Sequence, residues 1–332
     1  MTVWLGFFVC TGVILFSGAQ LSRYGDALAE KTGLGGTWVG VVLMASITSL
    51  PELITGASSM LLFDVPDIAA GDAIGSCMFN LLLLALLDIS HHEPLSTRIH
   101  QGHVLSAAYG VVLLGLVTLG VLSGERLPVL GWVSVMSVAF IGVYLLAVRT
   151  IFDFERRRLA TLVSEVAETL QYGGWSARYV MAMYALNAVV LIGAAAFLPG
   201  LADHIAEQSG LGQSFVGTTL VAMSTSLPEL VVSVAAARIG AIDMAAANLF
   251  GSNLFNVSIL GIDDVLYTKG PLLSNVSGNH TIAAVAAMTM TGVALIGLTV
   301  RATRKRWRLS WDSFAIVAIY GLATMMLFWA TR

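Results

Sequence analysis

The chain carries one polar motif twice, each time inside strongly apolar sequence. Ala45-Ser46-Ile47-Thr48-Ser49-Leu50-Pro51-Glu52-Leu53 returns 177 residues later as Ala222-Met223-Ser224-Thr225-Ser226-Leu227-Pro228-Glu229-Leu230. A second element follows each copy, Gly75-Ser76-Cys77-Met78-Phe79-Asn80 and, 176 residues on, Gly251-Ser252-Asn253-Leu254-Phe255-Asn256. The offsets differ by one residue, so a single insertion or deletion separates the copies. A repeat at this distance means two related halves. Hydroxyls, amides and carboxylates are expensive in apolar surroundings and need a reason to be there.

Of the 332 residues 57% are hydrophobic and only 11% charged. A soluble domain has about a quarter charged residues, so the chain reads as an integral membrane protein. Ten apolar segments are long enough to cross about 30 Å of hydrocarbon at 1.5 Å per residue. They are 3–21, 37–61, 67–88, 102–123, 128–148, 177–199, 214–237, 243–262, 280–300 and 311–330. No Lys or Arg precedes the first run, which therefore reads as a retained span rather than a cleaved leader. Cys10 and Cys77 both fall inside spans and are poor candidates for a disulfide.

Placing the connections alternately on two sides puts 14 of the 17 Lys and Arg residues on one side. Only Arg126, Lys269 and Arg332 fall on the other. Lys- and Arg-rich short loops stay cytoplasmic, so both termini are expected on the non-cytoplasmic side, in a prokaryotic inner membrane. Five spans per half is odd, which turns the second half upside down relative to the first. The expected plan is an all-α membrane protein of ten transmembrane helices in two inverted five-helix repeats. The first repeat is 1–148, the cytoplasmic linker 149–176 and the second repeat 177–332. The polar motifs occupy 37–81 and 214–257. In the linker, Leu159, Leu162, Val163, Val166 and Leu170 have helical spacing and predict a short amphipathic surface helix.

Ala45, Thr48 and Glu52 are spaced three and four apart and share a helix face, with Ser49 adjacent. Pro51 has no N–H, so the Ile47 carbonyl loses its helical partner and span 2 is expected to kink. Span 7 repeats this with Ala222, Thr225, Ser226, Pro228 and Glu229, freeing the Ser224 carbonyl. Span 3 adds Asp72, Ser76 and Asn80 at intervals of four, and span 8 adds Asn248, Ser252 and Asn256. Gly75 and Gly251 are small enough for close helix approach. A lone Ser, Thr or Gly in a span is ordinarily a packing device. Two duplicated motifs in register point to a site. Apart from the amide nitrogens its groups are oxygens, which suit hard cations such as Ca2+ and not Zn2+ or Cu. The same set can hold Ca2+ or monovalent ions in turn.

These repeats resemble the alpha repeats of the cation/calcium exchanger superfamily, and most of all its prokaryotic sodium/calcium exchangers. The resemblance implies an alternating-access antiporter in which Na+ entry drives Ca2+ extrusion. It implies ion ligands at Glu52, Glu229, Thr48, Ser49, Thr225, Ser226, Ser76, Asn80, Ser252 and Asn256, and at the carbonyls of Ala45 and Ala222. It also implies that spans 1 and 6 slide across the rest. Three positions depart from the family pattern: Asn256 stands where an Asp is usual, Asp72 where an Asn is common, and Ile47 where a small residue is usual. Asp72, with its counterpart Asn248, is therefore placed at the periphery of the site.

Na+ is preferred to H+ as the coupling ion because the Thr-Ser pairs supply neutral oxygens. A H+/Ca2+ antiporter is the alternative, since buried glutamates can carry protons. A cation channel is a different class, disfavoured because an inverted repeat suits alternating access better than a continuous pore. An enzyme is not expected: an intramembrane hydrolase would want His-Glu-x-x-His or a Ser–His pair, and no His lies at mid-span. The expected partners are Ca2+, Na+ and the lipid bilayer, with no cofactor, nucleic acid or obligate protein partner. Asp67 and Asp243 read as helix N-caps, Asp263 and Asp264 as the polar end of span 8, with attraction of cations to the mouth as the alternative, and His103 and His280 as interfacial residues.

Overall fold

A computed structural model describes residues 2–32, 47–91, 93–162, 174–301, 305 and 308–331. The chain is helical nearly throughout. Its main helices are α1 (Thr2–Thr32), α2 (Leu50–Phe63, closing on a π-helical turn), α3 (Pro66–Ile89), α4 (His103–Ser123) and α5 (Val135–Leu162). The second half has α6 (Ala177–Ser209), α7a (Gln213–Thr225), α7b (Leu227–Arg238), α8 (Ile242–Leu266), α9 (His280–Val300) and α10 (Trp311–Ala330). Among the described residues, eight helices are each long and apolar enough to cross a membrane, and the bent pair α7a–α7b makes nine. The predicted span 37–61 is represented by α2; positions 37–46, Ala45 among them, lie outside the described residues.

Several helices outrun the apolar segments that announced them. α1 continues past residue 21 to Thr32, ahead of Gly33-Leu34-Gly35-Gly36, because Arg23, Asp26 and Glu30 do not break a helix. α6 runs from the Ser176 cap, whose hydroxyl accepts the Tyr179 N–H at 3.2 Å, to Gly210 in the left-handed region at φ 69°. α5 begins later than predicted, after a small hairpin that pairs Val129–Leu130 with Val133–Ser134. It then runs on to Leu162, so the first part of the expected linker, 149–162, is helical and continuous with span 5. The rest of the expected surface helix, 163–170, lies outside the described residues.

Burial sorts the helices. α3 and α8 are mostly buried and form the centre, whereas the apolar stretches of α1, α5, α6 and α10 are less than a third buried. Phe8, Phe16, Phe197, Phe314 and Trp329 point outward, as a lipid-facing surface requires. One apolar cluster joins α3 and α8 to α4 and α9, and a second joins α1, α6 and α7a. α1 lies along α6 and against the bend of α7, where a Cβ on Gly18 would stand 2.9 Å from the Pro228 side chain.

The two halves repeat each other's contacts well beyond the motifs. The Asp88 carboxylate ends α3 and accepts the backbone N–H groups of Leu95 and Ser310, each at 2.7 Å. Asp264, 176 residues on, accepts those of Leu272 at 2.5 Å and Ser134 at 2.7 Å. Ser134 and Ser310 are themselves 176 apart. At the other ends of the same helices, Asp67 accepts the Ser277 N–H at 2.7 Å and faces His280 Nε2 at 2.8 Å. Asp243 accepts the His100 N–H at 2.6 Å and faces His103 Nε2 at 3.4 Å. Asp67 and Asp243 are therefore not caps of their own helices, as predicted. Each sits inside the first turn, past the cap positions Val65 and Ala241, and reaches across to backbone N–H groups that precede α9 and α4. These four carboxylates fix the ends of the central helices, and so the height at which their middles meet.

Candidate cation site

The middle of the bundle is where the two motifs meet. α2 begins at Leu50 after Ser49, whose backbone has φ −86° and ψ 13°; α7 breaks at Ser226, with φ −85° and ψ 9°. Two local sequences alike in Thr-Ser-Leu-Pro-Glu have taken one conformation. α7a and α7b meet at 45°. Pro228 removes the N–H that would have bonded the Ser224 carbonyl, so the predicted kink lies where the Pro places it. Helical bonding resumes on either side, from Ser226 N–H to the Ala222 carbonyl at 3.1 Å and from Leu230 N–H to the Ser226 carbonyl at 3.3 Å.

The side chains then cross between halves. Ser49 donates to Glu229 Oε1 at 2.9 Å, and Ser226 donates to Glu52 Oε1 at 2.8 Å. The neighbouring threonines cross as well. Thr48 donates to Asn248 Oδ1 at 3.3 Å and lies 3.4 Å from Ser252 Oγ. Thr225 donates to Asp72 Oδ1 at 2.7 Å and lies 3.5 Å from Ser76 Oγ. Ser76 in turn donates to the Ala222 carbonyl at 3.5 Å. The serine–glutamate and threonine crossings of one half each have their counterpart at the mirrored position in the other.

These bonds bring together the predicted site residues within the described chain except Asn80 and Asn256, which lie one turn beyond Ser76 and Ser252 on the same helices. Thr48, Ser49, Glu52, Ser76, Asn80, Ala222, Thr225, Ser226, Glu229, Ser252 and Asn256, with Asp72 and Asn248, are each no more than 2% exposed. Close packing brings them there: a Cβ on Gly75 would collide with the Thr218 carbonyl and stand 2.8 Å from the Ala222 side chain. Asp72 is anchored directly to Thr225, one of the predicted ligands, so it sits closer to the centre than a purely peripheral residue would.

One residue missed by the sequence reading belongs to this cluster. Asn253 Oδ1 accepts Asn80 Nδ2 at 3.0 Å, and its own amide donates to the Cys77 carbonyl at 3.2 Å. It ties α8 to α3 and fixes the Asn80 amide. Its mirrored position holds Cys77, so the repeat gave no paired signal for it.

Inside the cluster a set of buried polar atoms has no hydrogen-bond partner. They are Glu52 Oε2, Glu229 Oε2, Asp72 Oδ2, Asn80 Oδ1 and both side-chain polar atoms of Asn256. An unpartnered buried acceptor costs about 1–3 kcal/mol, and more if charged. Five of the six atoms are oxygens, and the two glutamates lie within electrostatic reach of each other. A cation of hard, oxygen-preferring type answers both the missing partners and the repulsion.

The sequence matches the family model described as sodium/calcium exchanger protein over residues 2–152 and 179–329. It is 29% identical over 255 residues to the uncharacterized membrane protein MJ0091 of Methanocaldococcus jannaschii, covering 76% of this chain and 78% of that one. The structure is similar to that of the sodium-calcium exchanger NCX_Mj, with a TM-score of 0.63 and 21% identity over 98% of each chain. It is also similar to the H+/Ca2+ exchanger CAX, with a TM-score of 0.70 and 10% identity over 99% of this chain and 86% of that one. At these identities the two structures speak to the fold alone.

Proposed function

The chain belongs to the sodium/calcium exchanger family, and from that membership we propose that it is an alternating-access antiporter in which Na+ entry drives Ca2+ extrusion. Membership makes it a cation/Ca2+ exchanger of the membrane. The coupling ion and the direction of transport are our own reading.

The observation that carries the proposal is the crossed pair Ser49–Glu229 and Ser226–Glu52, with Oε2 of each glutamate left unpartnered. Each half supplies one carboxylate, and each carboxylate is oriented by a hydroxyl from the opposite half. Two glutamates neutralise one Ca2+, while the flanking hydroxyls and amides offer neutral oxygens to Na+. Thr48, Ser49, Ser76, Asn80, Thr225, Ser226, Ser252 and Asn256 are the proposed neutral ligands, with the carbonyls of Ala45 and Ala222. A site that accepts either cargo but is costly to leave empty favours exchange over leak.

Access would alternate by movement of α1 and α6 across the rest. α1 touches the kink of α7, where Thr11 donates to Ser224 Oγ at 3.0 Å beside the freed carbonyl. A shift of α1 is thereby felt at the site. We place the two inverted halves at 1–148 and 177–332, both termini outside the cytoplasm, in a prokaryotic inner membrane. A H+/Ca2+ exchange is the second reading, because buried glutamates can carry protons and Asn256 stands where the family pattern usually has an Asp. Uptake of Ca2+ into proteoliposomes loaded in turn with Na+ and with a proton gradient separates the two. Uptake driven by the proton gradient alone would overturn the sodium assignment.

A further inference from the structure

Asp263 is the buried carboxylate that the exchange site leaves unexplained. It lies seven residues beyond Asn256, two turns along the same face of α8. It is 0% exposed, and neither of its carboxylate oxygens has a hydrogen-bond partner. Its neighbour Asp264, equally buried, is fully engaged with Ser134, Ser137 and Leu272. The expectation that both residues merely form a polar helix end therefore fits Asp264 and fails for Asp263.

The carboxylate of Asp263 rests on α2, one turn beyond Glu52. A Cβ on Gly56 would stand 2.6 Å from Oδ1 and 2.8 Å from Cγ and would collide with Oδ2. Asp72, whose Oδ2 is also unpartnered, sits one turn before Ser76 on α3, toward the same end of the bundle, and lies within electrostatic reach of Asp263. Two incompletely satisfied acidic side chains thus share the region between the glutamate pair and the end of the bundle that carries Asp64 and Leu266.

The internal repeat shows that packing alone does not require this. The mirrored positions of Gly56 and Asp263 are Ser233 and Leu87. Ser233 accepts Asn248 Nδ2 at 3.3 Å, and Leu87 belongs to the apolar core. One half has a hydroxyl and an apolar side chain at these two positions. The other has given up the side chain at 56 and placed a carboxylate in the space. Burying an unpaired carboxylate in place of a leucine is strongly unfavourable unless a cation meets it.

We propose that Asp263, with Asp72, forms a cation subsite on the approach to the glutamate pair from that end, holding a hard cation one step before it reaches Glu52. The subsite deepens the exchanger reading and rests on it for its use. By the distribution of basic residues, this end faces away from the cytoplasm.

The test uses the full chain in oriented proteoliposomes, with radiolabelled Ca2+ varied on one face at a time. Two variants are compared, Asp263→Asn and the pair Gly56→Ser with Asp263→Leu, which places the residues of the mirrored positions at both sites. In both, the Ca2+ concentration for half-maximal exchange should rise about tenfold on the Asp263 face, as expected for losing one charge at close range, and stay within about twofold on the other. No change on the Asp263 face, or an equal rise on both faces, would overturn the subsite. A shifted pH dependence with unchanged Ca2+ half-saturation would also overturn it, making Asp263 a proton site. If the unsubstituted chain shows no exchange at all, the transport reading fails first. The subsite is then read by equilibrium binding of Ca2+ to the purified protein, where Asp263→Asn must weaken binding for it to stand.

Discussion

Ser49 in the first half donates a hydrogen bond to Glu229 in the second at 2.9 Å, and Ser226 returns one to Glu52 at 2.8 Å. Each acid is thus held by the opposite half. Ser49→Ala and Ser226→Ala should weaken Ca2+ binding to similar extents. A hydrogen bond to a charged group is worth about 1.5–3 kcal/mol, roughly tenfold to hundredfold in half-saturating Ca2+. Unequal effects by more than tenfold would argue against the mirrored roles.

Asp72→Asn keeps an oxygen for the Thr225 hydroxyl, which Asp72 Oδ1 accepts at 2.7 Å. The variant should still exchange, with a loss of affinity smaller than that of Glu52→Gln. Flux measured side by side decides: if Asp72→Asn is as inactive as Glu52→Gln, Asp72 is a central ligand.

Much of this was legible in the sequence because membrane spans advertise themselves and the motifs recur. Thr48, Ser49, Glu52 and their copies were found through spacing and duplication, and the Pro51 and Pro228 positions foretold the breaks. The crossing of Ser49 to Glu229 was not legible, since spacing fixes a helix face but not its partner. The end contacts carry the same signal: Asp67 and Asp243, Asp88 and Asp264, and Ser134 and Ser310 all keep the 176-residue offset, and His103 and His280 keep 177. Asn253 and Asp263 could not have been found that way, because Cys77 and Leu87 stand at their mirrored positions. Helix ends were misjudged where polar residues continue a helix, as Arg23 and Asp26 do in α1.

Gly71 and Gly75 set how closely α3 approaches α7. A Cβ on Gly71 would lie 2.8 Å from the Thr218 nitrogen, and one on Gly75 would lie 2.7 Å from Thr218 Cα, with backbone unable to yield. Gly75→Ala and Gly71→Ala should each destabilise by about 1–3 kcal/mol as overpacking does, seen as a lower melting temperature in detergent. Gly142→Ala, where nothing lies within 4 Å, is the control and should melt as the unsubstituted chain does.

Asp88 meets the Lys305 ammonium at 2.9 Å with both side chains nearly fully buried. Asp88→Ala leaves two backbone N–H groups unpaired and takes the counter-ion from that ammonium, which keeps only the carbonyls of residues 88 and 91, and loss of one partner of a buried pair costs about 3–5 kcal/mol. The expected result is a large drop in thermal stability and poor recovery from the membrane. The protein that does fold should keep its Ca2+ half-saturation, because the contact lies at the helix end and not at the glutamates.

The most direct test of the account is Ca2+ uptake by Na+-loaded proteoliposomes, for the unsubstituted chain and for Glu52→Gln and Glu229→Gln. An outward Na+ gradient should drive uptake in the unsubstituted chain, and either substitution alone should abolish it. Undiminished uptake in either variant, or uptake without any counter-ion gradient, would contradict a shared site built from one glutamate of each half.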